Sequence, residues 1–520
     1  MAALLLAAEG RAALQSHPRM TNPAKVVRSF ALLCLCGLFP CSVFSQSNNL
    51  AEASRRAGQL MAAGKYEEAA PIYRQLARAI PHNPGLSLDL GLALHMSGHE
   101  QEAIREFNKT LQLDPHNLPA RLYLGYAYLS LGDPGHALEP LEQVVRADPT
   151  NIDASESLAN ALLSLGRFDE AAARFRAMVK VEPASAAAWY GLGRSYQSLS
   201  QHSYEELGKI AYGSAYWLAL VAEANTKAGK YSSAFYLYHQ ALAKMPGLPG
   251  IHAGLATIYA QTGHADWAKT EKARERAAPP PDCARRATEC AFLAGHYDQV
   301  IAVAGKSPET LYWKSKAFDQ LALRALLRLG DFPSSPQLHE LLAETHEKAR
   351  DYPVAIQEWR KAYQLSHQDP QIGKRLAVDL LQTHDNQGAE QLLKTILGEQ
   401  PNSAEVNYLM GYALLNRQKP AGAIPYLAKS LRLDPTMLKA HGELGRAYLQ
   451  AGQSAKAIPQ LKAALSLDAD GSLHYQLARA YAATGQTALA QPMLKAYQQL
   501  HQADEKQAQE LKQTVRVTPP

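Results

Sequence analysis

Cysteine is scarce in this chain. There are five in 520 residues, and Cys34, Cys36 and Cys41 lie in one short apolar stretch near the start. Only Cys283 and Cys290 remain beyond it, too few to staple a fold, so a disulfide framework is excluded. An excess of one charge is lacking too. The formal net charge is +5, of which Arg11, Arg19, Lys25, Arg28 and Glu9 place +3 on residues 1–45. The +2 left on residues 46–520 is too balanced for nucleic-acid binding, which needs clustered Lys and Arg. Long apolar runs are also missing. Outside Ser29–Phe44 no stretch approaches the roughly 20 apolar residues that span a bilayer.

Catalytic and metal motifs are absent as well. Gly305-Lys306-Ser307 looks like the end of a phosphate loop, but Val300 stands where that loop needs its first glycine. His339-Glu340 opens like a zinc-protease helix, but Ala343 occupies the place of the second histidine, and His346 is seven residues from His339. There is no nucleophile elbow and no paired metal-ligand cysteine motif. The expectation is a chain with no cofactor, no metal and no catalysis.

Residues 1–45 read as a signal peptide, with Met20 as an alternative start. Lys25 and Arg28 precede the apolar run SFALLCLCGLFPCSVF, and Val43 and Ser45 suit cleavage before Gln46. The localisation expected is export, periplasmic or extracellular; the alternative is a membrane anchor formed by an uncleaved signal.

The rest of the chain beats. Gly64, Ala69, Tyr73 and Pro81 are followed 34 residues on by Gly98, Ala103, Phe107 and Pro115, and then by Gly132, Ala137, Leu141 and Pro149. Units start at Leu50, Pro84, Leu118, Ile152, Ala186, Ala215, Pro249, Pro336, Pro370, Ala404, Leu438 and Gly471. Within a unit, position 8 is Gly or Ala, position 20 is nearly always Ala, position 24 is large and position 32 is often Pro. Apolar residues at three- and four-residue intervals predict a helix A over positions 1–14 and a helix B over 18–31. Glycine near position 15 permits the turn between them. A small residue at 8 lets the helices approach where it meets position 20, and proline stops helix B. Such a hairpin cannot bury its apolar face alone, so neighbours stack.

Two places break the beat. The unit from Ala186 has 29 residues, with a second helix expected around SYEELGKIAYG. Residues 283–335 form an irregular helical insert or hinge, with a short hairpin around Gly295 and a long helix near Glu309–Leu329. The organisation expected is a first array over 50–282, the insert over 283–335, a second array over 336–504, and a polar cap helix and tail over 505–520. If one helix held both Cys283 and Cys290, their Cα atoms would lie about 10 Å apart, beyond a disulfide's reach. Free thiols are therefore the expectation. A disulfide requires Cys283 to lie outside the helix, which the prolines before it allow.

The pattern resembles the tetratricopeptide repeat, whose signature is W-x2-L-G-x2-Y, then Ala, Phe and Pro over 34 residues. Trp189, Leu192, Gly193 and Tyr196 match its first half. The resemblance implies an all-α, right-handed α-solenoid of about twelve helical hairpins. It also implies that helix A lines an inner groove through positions 2, 5, 9 and 12. Carried onto this chain, those positions give Leu122, Tyr126, Glu156, Asn160, Tyr190 and Arg194. Further on they give Glu340, Glu344, Lys374, Tyr408, Tyr412, Arg446, Tyr475 and Arg479. The family's clamp for chaperone C-terminal carboxylates is not matched, since Val378 stands where Lys374 needs an asparagine partner. The function implied is a non-catalytic protein–protein interaction scaffold that holds an extended partner segment in the groove. The alternatives are a cell-envelope or exopolysaccharide assembly or secretion factor, and an enzyme with a site in the 283–335 segment. No nucleic acid is expected as a partner, and no membrane span once the signal is removed.

Overall fold

The computed structural model describes residues 42–512 and 517–520. Residues 1–41 of the expected signal peptide lie outside them, as does part of the expected C-terminal tail. The chain divides into two units, Met1–Glu52 and Ala53–Pro520. The second holds the repeat array.

Among the described residues the structure is helical, with no strand. After α1 (Ser42–Ala62) and α2 (Tyr66–Ala79), hairpins follow in register: α3 (Pro84–Met96) with α4 (Glu100–Leu113), α5 (Leu118–Ser130) with α6 (Pro134–Ala147), and α7 (Ile152–Ser164) with α8 (Phe168–Val181). Local chemistry sets their starts. Pro84 opens α3, and the Asn83 side chain accepts from the backbone N–H of Leu86. Asn117 and Asn151 cap α5 and α7 in the same way. At the turn, Gly98 and Gly132 have φ of +75° and +73°, a region open to glycine.

The crowding that demands a small residue at position 8 comes from the side chain at position 24. A Cβ on Gly91 would sit 2.6 Å from Phe107, and one on Gly125 would sit 2.6 Å from Leu141. Alanine at position 20 is buried beside this contact at Ala103, Ala137 and Ala171. The repeated Gly-to-large-residue fit is what interlocks each hairpin.

The break at Ala186 takes a different form from the one expected. α9 (Ala186–Ala211) is one unbroken helix of 26 residues. No helix B follows it. Position 15 is Ser200, where most other units have glycine, and neither glycine nor proline supplies a turn before Gly213, apart from Gly208 inside the helix. The partner of α9 comes from far along the chain: α16 (Pro308–Leu327) lies along its length. The two run antiparallel, for Gly193 meets Leu326 at one end and Glu206 meets Lys306 at the other. At the middle, the Ser200 hydroxyl donates to the Ser315 carbonyl at 2.9 Å, and the Ser315 hydroxyl donates back to Ser200 at 3.2 Å. These small side chains allow close approach and satisfy each other. Leu326 thus fills the role at Gly193 that a position-24 residue fills elsewhere.

The intervening residues make a side array. α10 (Ala215–Lys227) pairs with α11 (Tyr231–Lys244), and α12 (Ile251–Gln261) with α13 (Ala265–Ala277). Two short helices, α14 (Ala287–Leu293) and α15 (Tyr297–Ala302), lead back to α16. Their shared core contains Leu207, Leu218, Tyr259, Tyr312 and Trp313, so the far ends of α9 and α16 carry this array.

The regular beat then resumes. α17 (Pro336–Lys348) pairs with α18 (Tyr352–Leu365), α19 (Pro370–Gln382) with α20 (Asn386–Glu399), and α21 (Ala404–Asn416) with α22 (Pro420–Leu433). α23 (Leu438–Gln450) pairs with α24 (Ser454–Ala464), and α25 (Ser472–Ala483) with α26 (Thr487–Lys512).

The free-thiol expectation is corrected. Cys283 and Cys290 are joined by a disulfide with Cα atoms 5.7 Å apart. Cys283 lies in the turn before α14, so the helical spacing that would keep the two apart does not apply.

Candidate binding groove

The first helices of successive hairpins touch one another in the order α3, α5, α7, α9, and α17 packs directly on α9. Beyond it α19, α21, α23 and α25 continue the same layer. The α9–α16 pair thus stands in the main array as one repeat, with the side array inserted between its helices. The layer brings α7, α9, α17 and α19 around a cavity of about 420 Å³ lined by Asn160, Tyr190, Arg194, Glu340, Glu344 and Arg375, among others.

Charges in that cavity are cross-linked. Arg194 donates to Glu344 at 2.6 Å and lies over the Tyr190 ring at 5.9 Å. Arg375 also approaches Glu344, pairs with Glu347 at 3.1 Å, and sits over the Trp359 ring at 4.9 Å. Trp359 donates to Glu347 at 2.7 Å. Glu340 lacks such a partner. Burial first, then the charges of Glu344 and Asp369, push its carboxyl up to about 7, with Arg194 and Arg375 opposing. Burial also raises the Tyr190 hydroxyl, aided by Glu344 and Glu340. The cavity holds paired cations and acids with one carboxyl close to its titration point.

A second region lies on α19, α21 and α23, where Val378, Tyr408, Tyr412 and Lys439 help line a depression of about 640 Å³. Tyr408 and Tyr412 stack with centroids 6.3 Å apart. Arg446 lies 5.5 Å over Tyr412 and donates to Asn416 at 3.1 Å. Burial, then Glu443, pushes the Tyr408 hydroxyl up to about 12, so it remains a donor. Lys374 pairs with Glu405 at 2.6 Å. Further on, Tyr475, Arg479 and Arg446 share a depression of about 450 Å³ with Tyr497.

The remaining expected groove residues sit differently. Leu122 and Tyr126 are partly buried against the core of α6 and α7, and burial raises the Tyr126 hydroxyl. Glu156 is half-buried, and burial, then Asp153, raises its carboxyl. Arg375 and Glu347 were not in the expected set. Glu347 occupies position 12 of its unit, a position the set includes. Arg375 occupies position 6, outside it, and its role depends on α17 meeting α9 across more than a hundred intervening residues.

The rims of the layer also meet. A Cβ on Gly98 would lie 3.4 Å from the Glu399 carbonyl and 3.4 Å from Pro401. The turn after α3 therefore touches the turn after α20.

Among the described residues, no helix is long and apolar enough to cross a membrane, and no group of three or more His, Cys, Asp or Glu is placed to hold a metal. A comparison with curated proteins finds no match. Solved structures similar to part of the chain include MamA of MSR-1, 24% identical, covering 32% of this chain and 98% of that one at a TM-score of 0.29. Another is MamA, residue 41 to the end, from Desulfovibrio magneticus RS-1, 20% identical, covering 32% and 96% at a TM-score of 0.30. At these scores the likeness carries no argument. Family models do. Two models described as tetratricopeptide repeat match residues 60–110, 94–161, 131–195, 226–274 and 414–476, and residues 320–371 and 374–437. Together they span well over half of the sequence and coincide with the hairpins that glycine and alanine interlock. The chain belongs to the tetratricopeptide repeat family.

Proposed function

We propose that this chain is a non-catalytic scaffold that holds an extended segment of a partner protein along the inner layer of its main array. Family membership supports the coarser statement, that it is a protein-interaction scaffold. The observation that carries the finer one is the Tyr408–Tyr412–Arg446 strip. These side chains pack partly against the core and present their remaining surface to depressions, and Tyr and Arg are among the residues that most often dominate binding energy. Tyr412, with Arg446 held over its ring by Glu443 and Asn416, offers a flat apolar face, which suits an apolar side chain of an extended peptide. The cavity of Arg194, Glu344 and Arg375 offers a polar anchor elsewhere on the same layer.

Tyr408→Ala with Tyr412→Ala is expected to weaken partner binding by tenfold or more, each ring contributing about 1–2 kcal/mol, with the helical signal retained at the temperature of the binding measurement. The partner is first identified by photo-cross-linking from position 412 in cells, and its affinity is then measured by calorimetry. Unchanged affinity removes the α19–α23 region from the groove.

The chain is proposed to be exported. The residue pattern over 25–46 supports this, and so does the Cys283–Cys290 bond, which suits an oxidising compartment. A mature N-terminus at Gln46, read by mass spectrometry of the protein from its own cells, is the expected result; an intact signal in a soluble cytosolic fraction overturns it.

A further inference from the structure

The last four residues, Val517–Pro520, do not belong to any repeat, yet they have a place. Val517 packs partly buried against the core of the side array. The hydroxyl of Tyr259, on α12, donates to the carbonyl of Thr518 at 2.7 Å. The two residues are 259 apart in sequence. The Tyr259 ring is fully buried, with Phe235 of α11 at 5.9 Å and Trp267 of α13 at 5.5 Å, both edge-on. A phenol in such surroundings needs a partner for its proton, and here the tail supplies it.

The tail's chemistry suits the contact. Thr518 precedes Pro519 and so favours extended backbone. Pro519 and Pro520 carry no N–H, so the exposed end leaves no donor unpaired and loses little entropy on docking. One side chain in an apolar seat and one hydrogen bond to the main chain are the elements by which an extended peptide is read. This face is separate from the main groove and does not depend on how that groove is used.

We propose that the face of α12 carrying Tyr259 is a second peptide-docking site, and that its occupant is the chain's own segment Val517–Pro520, bound in cis. The α12–α13 hairpin is the last regular one of the side array, and the end of an array needs covering. The tail supplies the cover. Any other extended segment must displace it to reach Tyr259.

The test uses the full-length chain. With photoreactive benzoylphenylalanine at position 518, irradiation is expected to join the tail to α12 or α13 at the mass of one chain. A product of doubled mass, or cross-links only outside the side array, overturns the proposal. Hydrogen exchange gives an independent reading. Val517→Asp and Tyr259→Phe are each expected to speed exchange of residues 251–261 several-fold and to leave α3–α8 unchanged. In the double variant the effects should not add, because both remove one contact. Additive effects, or no change in Val517→Asp, overturn the assignment.

Discussion

His384 and Gln418 have φ of +63° and +57°, where most units have glycine. Each occupies position 15 of its unit and is exposed, so only the turn holds it there. Left-handed backbone costs a residue with a Cβ about 1–2 kcal/mol. His384→Gly and Gln418→Gly are therefore each expected to stabilise the array by about 1 kcal/mol, less the entropy that glycine adds to the unfolded chain; denaturant melts check this, and a loss of stability refutes it. Glu340 makes a pH prediction. Its carboxyl is held near 7 in the folded chain against an ordinary 4.5. Between those values the folded protein keeps a proton that the unfolded chain releases, so stability falls as pH rises through that window and stays lower above it. Glu340→Gln should add on the order of 1–2 kcal/mol at pH 8, allowing for solvent screening, and nothing at pH 4. Equal gains at both values would assign the effect to packing instead. At this scale the small residue at position 8 was legible, because a fixed steric need leaves a fixed letter. Arg375 was not, because its partners are set by tertiary neighbours.

Helix starts and stops were the most legible elements. Asparagine or serine before the helix, proline within its first turn and glycine after it are local signals; α3 and α5 obey all three, and α7 has the asparagine and the glycine. α9 and α16 were the least legible. Nothing in Ala186–Ala211 announces that its mate begins at Pro308, because the serines that join them look like ordinary polar letters. The disulfide at the entry to α14 was legible only as a condition: it required Cys283 to lie outside the helix. Closing so short a loop contributes about 2 kcal/mol. Reduction, or Cys290→Ser, is expected to speed hydrogen exchange across α14 and α15 and leave α3–α8 unchanged; global unfolding of the main array on reduction would show that the side array and the main array share one cooperative unit.

For the molecule as a whole, repeat stacking makes stability a sum over neighbours, so distant hairpins are ordinarily independent. Two features depart from that rule. The α9–α16 pairing ties the main array to both ends of the side array. The second is the meeting of Gly98 with Glu399 and Pro401. A solenoid with free coils behaves as a spring, lengthening a little at every joint under load. Here the coil rests on itself, so the hairpins between those two turns cannot stretch gradually while the touch persists. Elastic compliance is withheld until that seam parts, and a load along the array is transmitted to the seam before it is absorbed by the helices.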